Sequence, residues 1–192
     1  MNSYVVGIDL STKRLDAALI PLSGRGTVAV ATQHVAATTD GDAARLREVH
    51  AAAHTILGKL RRVAERDGRV VLVAVEQPAA GGNAAILSQL APVYGAVCAA
   101  TSSDELVVGI RVSAWRGALG LRTRPPVDVT ADLSKSAAAN ARKAWLKQQS
   151  VASAMRLLAD EGHAVPIDTH DAAEAILIAA AARIVHTPEA AA

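Results

Sequence analysis

The stretch from Tyr4 to Ile20, Tyr-Val-Val-Gly-Ile-Asp-Leu-Ser-Thr-Lys-Arg-Leu-Asp-Ala-Ala-Leu-Ile, constrains the fold most, because Asp9 sits inside what otherwise reads as an apolar strand. A carboxylate on a buried strand is costly unless it is paired, hydrogen-bonded or bound to a cation. The alternative is an exposed aspartate at a strand edge, or at the start of a turn with Ser11. Two more carboxylate sites at the ends of apolar elements weigh toward a compensated, buried group.

The 192 residues fit a single domain, residues 1–192, with a substantial core. Hydrophobic residues make up 51% of the chain, aromatics only 2%, and Phe is absent, so the core is packed from Ala, Val, Leu and Ile. Cys98 is alone, which excludes an internal disulfide, argues against a cysteine-based zinc site, and suits a reducing, cytoplasmic setting. The N-terminus lacks a basic segment followed by an apolar one. The apolar run Ala175 to Ala182 is far shorter than the roughly 20 residues that span a bilayer, so neither export nor membrane insertion is expected.

Tyr4–Leu10 reads as a first strand, Leu15–Ile20 as its continuation or resumption, and Thr27–Val35 as a third apolar stretch, an antiparallel meander. Gly24-Arg-Gly26 joins strand to strand with no helix N-terminus behind it, so it reads as a turn rather than a phosphate loop. Asp40-Gly-Asp42 can cap a helix through Leu46, Val49, Ala53, Ile56, Leu60 and Val63, stopped by Asp67-Gly68. On it, His50 and His54 stand four apart, a spacing that suits a metal or, with no third ligand near in sequence, a solvent-exposed pair.

Arg69–Val75 is a continuous apolar run, hence a strand buried on both faces and parallel to the first. It ends in Glu76-Gln-Pro78. In open α/β sheets, ligands and catalytic groups gather at such carboxyl ends, the alternative for Glu76 being a salt bridge. Gly81-Gly82-Asn83 leads into a helix from Ala84 to about Ala100, Pro92 permitting. Glu105–Val112 reads as another strand, followed by a short helix with Trp115 and Leu119, an irregular stretch from Gly120 to Ser134, and a helix from Ser136 to about Glu161 ended by Gly162.

Charge is uneven. From Arg111 to Lys147 the chain carries Arg111, Arg116, Arg122, Arg124, Lys135, Arg142, Lys143 and Lys147 against Asp128 and Asp132, a net of +6 that leaves the rest of this +2 chain at −4. A basic segment on an acidic body is a footprint for a nucleic-acid backbone, or else a solvated loop and helix face. Trp145 within it reads as core packing, with stacking on a base as the alternative.

The last helix, capped by Asp168 or Thr169, runs from Asp171 to Ala182 and is Ala, Ile and Leu apart from Asp171 at its start and Glu174. Asp171 and Glu174 are three apart and point to one face of its first turn, where acidic residues also complement the helix dipole. Asp9, Glu76, Asp171 and Glu174 are thus four carboxylates that make sense converged on hard cations. Two Mg²⁺ or Mn²⁺ ions about 4 Å apart can activate a water and stabilise the leaving oxygen in phosphodiester cleavage.

Gly7-Ile-Asp9 before a second strand, Val75-Glu-Gln77 before a Gly-containing loop and helix, and Asp171-Ala-Ala-Glu174-Ala before an apolar helix together resemble, in order and spacing, the three acidic blocks of RuvC-type Holliday junction resolvases, of the ribonuclease H-like superfamily. Gly95-Ala-Val97, Val112 to Leu119, and Lys147 resemble corresponding stretches less specifically. The resemblance spans nearly the whole chain. It implies an α/β fold with a five-stranded mixed sheet flanked by helices on both faces, a homodimer, and metal-dependent symmetric nicking of four-way DNA junctions. It further implies Asp9, Glu76, Asp171 and Glu174 as ligands of two Mg²⁺ ions, Asp9 bridging them, Lys147 near the scissile phosphate, and the basic stretch Arg111 to Lys147 on the DNA backbone. Two departures stand out. Glu174 occupies a position where the family usually has Asp, one methylene shorter, which leaves Asp168 as an alternative ligand; His170, beside Asp171, reads as a helper to the site or as a surface histidine. The long Gly120–Ser134 stretch fits a diverged or phage-type member.

Three rival readings remain. The same fold and site can act on flap or other branched DNA, an RNA–DNA hybrid or a ribosomal RNA precursor. Sugar kinases and actin-like ATPases also open with Gly-Ile-Asp, but they need a second phosphate-binding glycine motif and usually a longer chain. A catalytically inactive DNA-binding relative is the third.

Overall fold

The computed structural model describes residues 1–36, 41–78, 84–131 and 133–186; the expectations touching Asp40, Gly81-Gly82-Asn83 and Asp132 lie outside them. Five strands form one mixed sheet: β1 Asn2–Leu10, β2 Arg14–Pro21, β3 Ala29–His34, β4 Gly68–Gln77 and β5 Leu106–Arg111, in the order β3-β2-β1-β4-β5. The first three strands make the expected antiparallel meander, and β4 and β5 add in parallel to β1. The third strand is shorter than Thr27–Val35, because Gly24 and Gly26 both take positive φ in a turn that uses up the residues before Ala29.

Helices cover both faces. On one, α1 (Asp42–Ala64) and α2 (Ala84–Cys98) meet the sheet through Val49, Ile56, Leu57, Leu60, Val93 and Val97. On the other, α5 (His170–His186) lies across the sheet with Trp115 of α3 (Val112–Ala118) and Ala154 and Leu158 of α4 (Lys135–Asp160). A short 3-10 turn at Val127–Val129 is the regular piece among the described residues of the 120–134 stretch. No helix among the described residues is long and apolar enough to cross a membrane.

The helix ends follow local chemistry. Gly41 caps α1 with no side-chain hydrogen bond, and Asp42 sits in the first turn, where its charge suits the dipole. Ser134 caps α4 by accepting from Ala137 N–H, and Thr169, not Asp168, caps α5 by accepting from Ala172 N–H at 3.1 Å. α2 runs through Pro92 without a break.

One contact sets the layout of the functional end. A Cβ built on Gly7 of β1 would lie 2.2 Å from the Ala175 carbonyl oxygen and 2.4 Å from the Ala179 nitrogen of α5. Only glycine lets this Ala-rich helix settle so close to the central strand. The residue before Ala175 is Glu174, so the close approach carries Glu174 to the strand that bears Asp9.

Candidate metal centre

β1 and β4 run parallel with Ile8 opposite Val75, which leaves Asp9 and Glu76 side by side at the carboxyl ends of adjacent strands. α5 brings Glu174 over them. Each of these three carboxylates offers an oxygen, and the three oxygens lie within 4.8 Å of one another. All three side chains are partly buried and keep some access to solvent.

The electrostatics are those of an acidic cluster compensated at Glu174 but not at Asp9. Burial, reinforced by the charges of Glu76, Glu174, Asp171 and Asp16, pushes Asp9 well above the usual carboxylate range. Glu76 is pushed up to about 7, first by burial and then by Glu174 and Asp171, against the opposing pull of Trp115 and Arg116. The Trp115 indole N–H is buried and directed toward Glu76, yet it completes no hydrogen bond of ordinary geometry. Among the described residues, no hydrogen bond or ion pair engages the Asp9 carboxylate. Three close carboxylate oxygens, two of them on groups that burial and mutual repulsion keep from ionising, could hold a hard divalent cation.

Glu174 is the best supported of the three. Its Oε1 accepts from Ser150 Oγ of α4 at 2.8 Å and from Arg116 Nη2 of α3 at 3.3 Å. Asp171 lies close enough to raise Asp9 and Glu76 but stands outside the trio, paired with Arg14 and, at 2.5 Å, with His170 Nε2. Arg14 also holds the buried Asp16 at 2.7 Å. Asp168 is exposed and likewise outside the trio.

The basic set divides. Arg111, Arg122, Arg124, Lys135, Arg142, Lys143 and Lys147 are exposed, Lys147 standing three residues before Ser150 on α4. Arg116, expected on the DNA backbone, is instead 3% exposed. Its guanidinium turns inward to Gln149, Ser150, Leu146 O, Arg122 O and Glu174, and stacks 4.7 Å from the Trp115 ring centroid. Trp145 is only partly buried and belongs to neither core cluster, so packing alone does not account for it. His50 and His54 are both exposed on α1 and join no metal-ligating group among the described residues.

Sequence reasoning missed Arg14, Asp16 and Ser150. Asp16 carried a usable signal, since it breaks the apolar run Leu15–Ile20 as Asp9 breaks the first strand. Ser150 had none, being one polar residue among many on a long helix.

No protein-family model matches the chain, and no curated protein matches it in sequence. Among solved structures it is similar to Thermus thermophilus RuvC, at 18% identity and a TM-score of 0.58 over 94% of each chain. It is similar also to T. thermophilus RuvC in complex with a Holliday junction substrate, at 17% identity and a TM-score of 0.59 over 95% of this chain and 94% of that one. Sheet order, helices on both faces and near-complete mutual coverage agree: the chain has the RuvC-type, ribonuclease H-like α/β fold.

Proposed function

We propose that this protein is a divalent-metal-dependent endonuclease that resolves four-way DNA junctions by paired, symmetric phosphodiester hydrolysis. The observation that carries the reading is the convergence of Asp9, Glu76 and Glu174 within 4.8 Å at the carboxyl ends of β1 and β4, on a fold shared with a RuvC solved on a Holliday junction.

Asp9, Glu76 and Glu174 would hold the cation, Asp171 completing the set on release from Arg14. Two Mg²⁺ ions, or Mn²⁺ in their place, would when bound there supply an activated water and stabilisation of the departing oxygen. The chain's own part is to fix the carboxylates on two strands and a helix, where the sheet limits their movement, and to seat the DNA. The seven exposed basic side chains are suited to phosphates, which position a duplex without reading its sequence. Lys147 is the one among them nearest in sequence to a residue bonded to Glu174, and we assign it to the DNA strand beside the cluster.

Symmetric cleavage needs two sites. α2 carries no charged residue, and Ala84, Ala91, Gly95 and, just past its end, Ala99 are exposed, next to an edge strand whose Leu106 is 56% exposed. An uncharged helix with small exposed residues favours close packing against a second copy, and we assign the homodimer contact to this face.

A panel of synthetic substrates tests the reading: a four-way junction, linear duplex, flap and RNA–DNA hybrid, each with Mg²⁺. Cleavage of the junction alone, by paired nicks, is expected. Preference for another substrate discards the junction role and keeps the metal site.

A further inference from the structure

Glu174 is held differently from its two neighbours. Asp9 and Glu76 leave strands, whereas Glu174 leaves the first turns of a helix, and it alone is pinned by donors from two other elements. Both donors meet the same oxygen, Oε1, which leaves Oε2 without a hydrogen-bond partner among the described residues.

The donors are themselves fixed. Ser150 is fully buried, and its hydroxyl accepts from Arg116 Nη2 at 2.8 Å. It has one proton to give, with the Leu146 carbonyl at 3.1 Å and Glu174 Oε1 at 2.8 Å as the choices. The shorter contact to a charged acceptor is the stronger. Arg116 is anchored in turn by Gln149 Oε1 at 2.9 Å and by two backbone carbonyls. A buried arginine with neutral acceptors on most of its N–H groups and a single carboxylate acts as a fixed positive charge beside the acidic cluster.

We infer that Ser150 and Arg116 are positioning residues that clamp one oxygen of Glu174 so that its other oxygen is presented to a divalent cation shared with Asp9 and Glu76. This rests on the metal-site reading above and deepens it. Glu174 reaches back to Ser150 through Oε1 while lying within the carboxylate cluster, so on this reading Glu174→Asp, one methylene shorter, loosens one of the two contacts.

The test is calorimetric titration of the full-length protein with Mn²⁺, alongside its thermal midpoint, for wild type, Glu174→Gln, Ser150→Ala, Glu174→Asp and the double variant Ser150→Ala/Glu174→Gln. Ser150→Ala keeps a good helix former in α4 and is expected to lower the midpoint by a few degrees, the cost of two buried hydrogen bonds, while weakening Mn²⁺ binding about 10-fold, the usual scale for residues that orient metal ligands. Glu174→Asp weakens binding as well. In the Glu174→Gln background, Ser150→Ala has no further effect on binding, because the group it orients is gone. Wild-type affinity in Ser150→Ala overturns the clamp while leaving the metal site standing, as does a lowered midpoint with unchanged affinity, which makes the network merely structural. Absence of Mn²⁺ binding by the wild type overturns the metal site and the clamp together.

Discussion

Asp9 and Asp16 stand directly opposite each other in the β1–β2 ladder, on one face of the sheet, yet only Asp16 is compensated. Arg14 Nε reaches it at 2.7 Å and Thr32 Oγ1 donates to it at 2.6 Å, while Asp9 faces Glu76 and Glu174. Like charges opposite each other on a sheet destabilise it, so the fold neutralises one and leaves the other exposed to its neighbours' repulsion.

Removing the neutralising partner should therefore be costly. Asp16 is 2% exposed, and Arg14→Gln strands a buried carboxylate with Thr32 as its remaining partner. The expected loss is about 3 kcal/mol in urea unfolding. Asp9→Asn goes the other way and stabilises the metal-free protein at neutral pH, since a neutral amide replaces a carboxyl whose ionised form burial and its neighbours' charges disfavour.

Stability of the metal-free protein should fall as pH rises through the Glu76 transition. The folded state holds a proton on Glu76 up to about 7, whereas the unfolded chain releases it near 4.5. The stabilising contribution is complete below pH 4.5 and is lost as pH climbs to about 7, on the order of 3 kcal/mol. Burial of Asp9 acts in the same direction. Urea midpoints in EDTA, compared between wild type and Glu76→Gln, check this: the difference should open between pH 5 and 7 in favour of the variant.

The proposed dimer face makes a separable prediction. A Cβ on Gly95 meets nothing within 4 Å, so Gly95→Arg is accommodated within one protomer. Sedimentation velocity should find a dimer for the wild type and a monomer of equal thermal stability for the variant. A dimer unaffected by Gly95→Arg would move the interface elsewhere.

Basic side chains that meet phosphates leave a signature in salt dependence. Replacing exposed Arg142 and Lys143 with alanine should lower the slope of log affinity against log salt by about 1 for each phosphate no longer neutralised, measured by fluorescence anisotropy on a junction. Arg116 has its guanidinium turned inward and should not follow this rule.

Much of the architecture was legible in the chain. Val- and Ile-rich runs gave the strands, Arg69–Val75 declared itself buried on both faces, and the position of Glu76 after it placed a carboxylate at the strand's carboxyl end. What periodicity could not supply was register. That Asp9 faces Asp16, or that Gly7 admits α5 to the central strand, depends on which residues pair across the sheet. The same limit explains Arg116. A guanidinium among seven exposed basic neighbours looks like one more phosphate ligand until α3 packs against α4 and α5 and closes over it. Asp171 shows the limit from the other side: sequence spacing put it on the same helical face as Glu174, but Arg14, arriving from β2, pairs with Asp171 while Ser150 and Arg116 hold Glu174.

The most direct measurement is cleavage of a synthetic four-way junction by wild type and Asp9→Asn, each with Mg²⁺ and with EDTA. Paired nicks by the wild type in Mg²⁺, abolished by EDTA and reduced more than about 100-fold by Asp9→Asn in a protein that still folds, are the expected result. Junction cleavage that persists in EDTA or survives Asp9→Asn would contradict a catalytic metal centre built on these carboxylates.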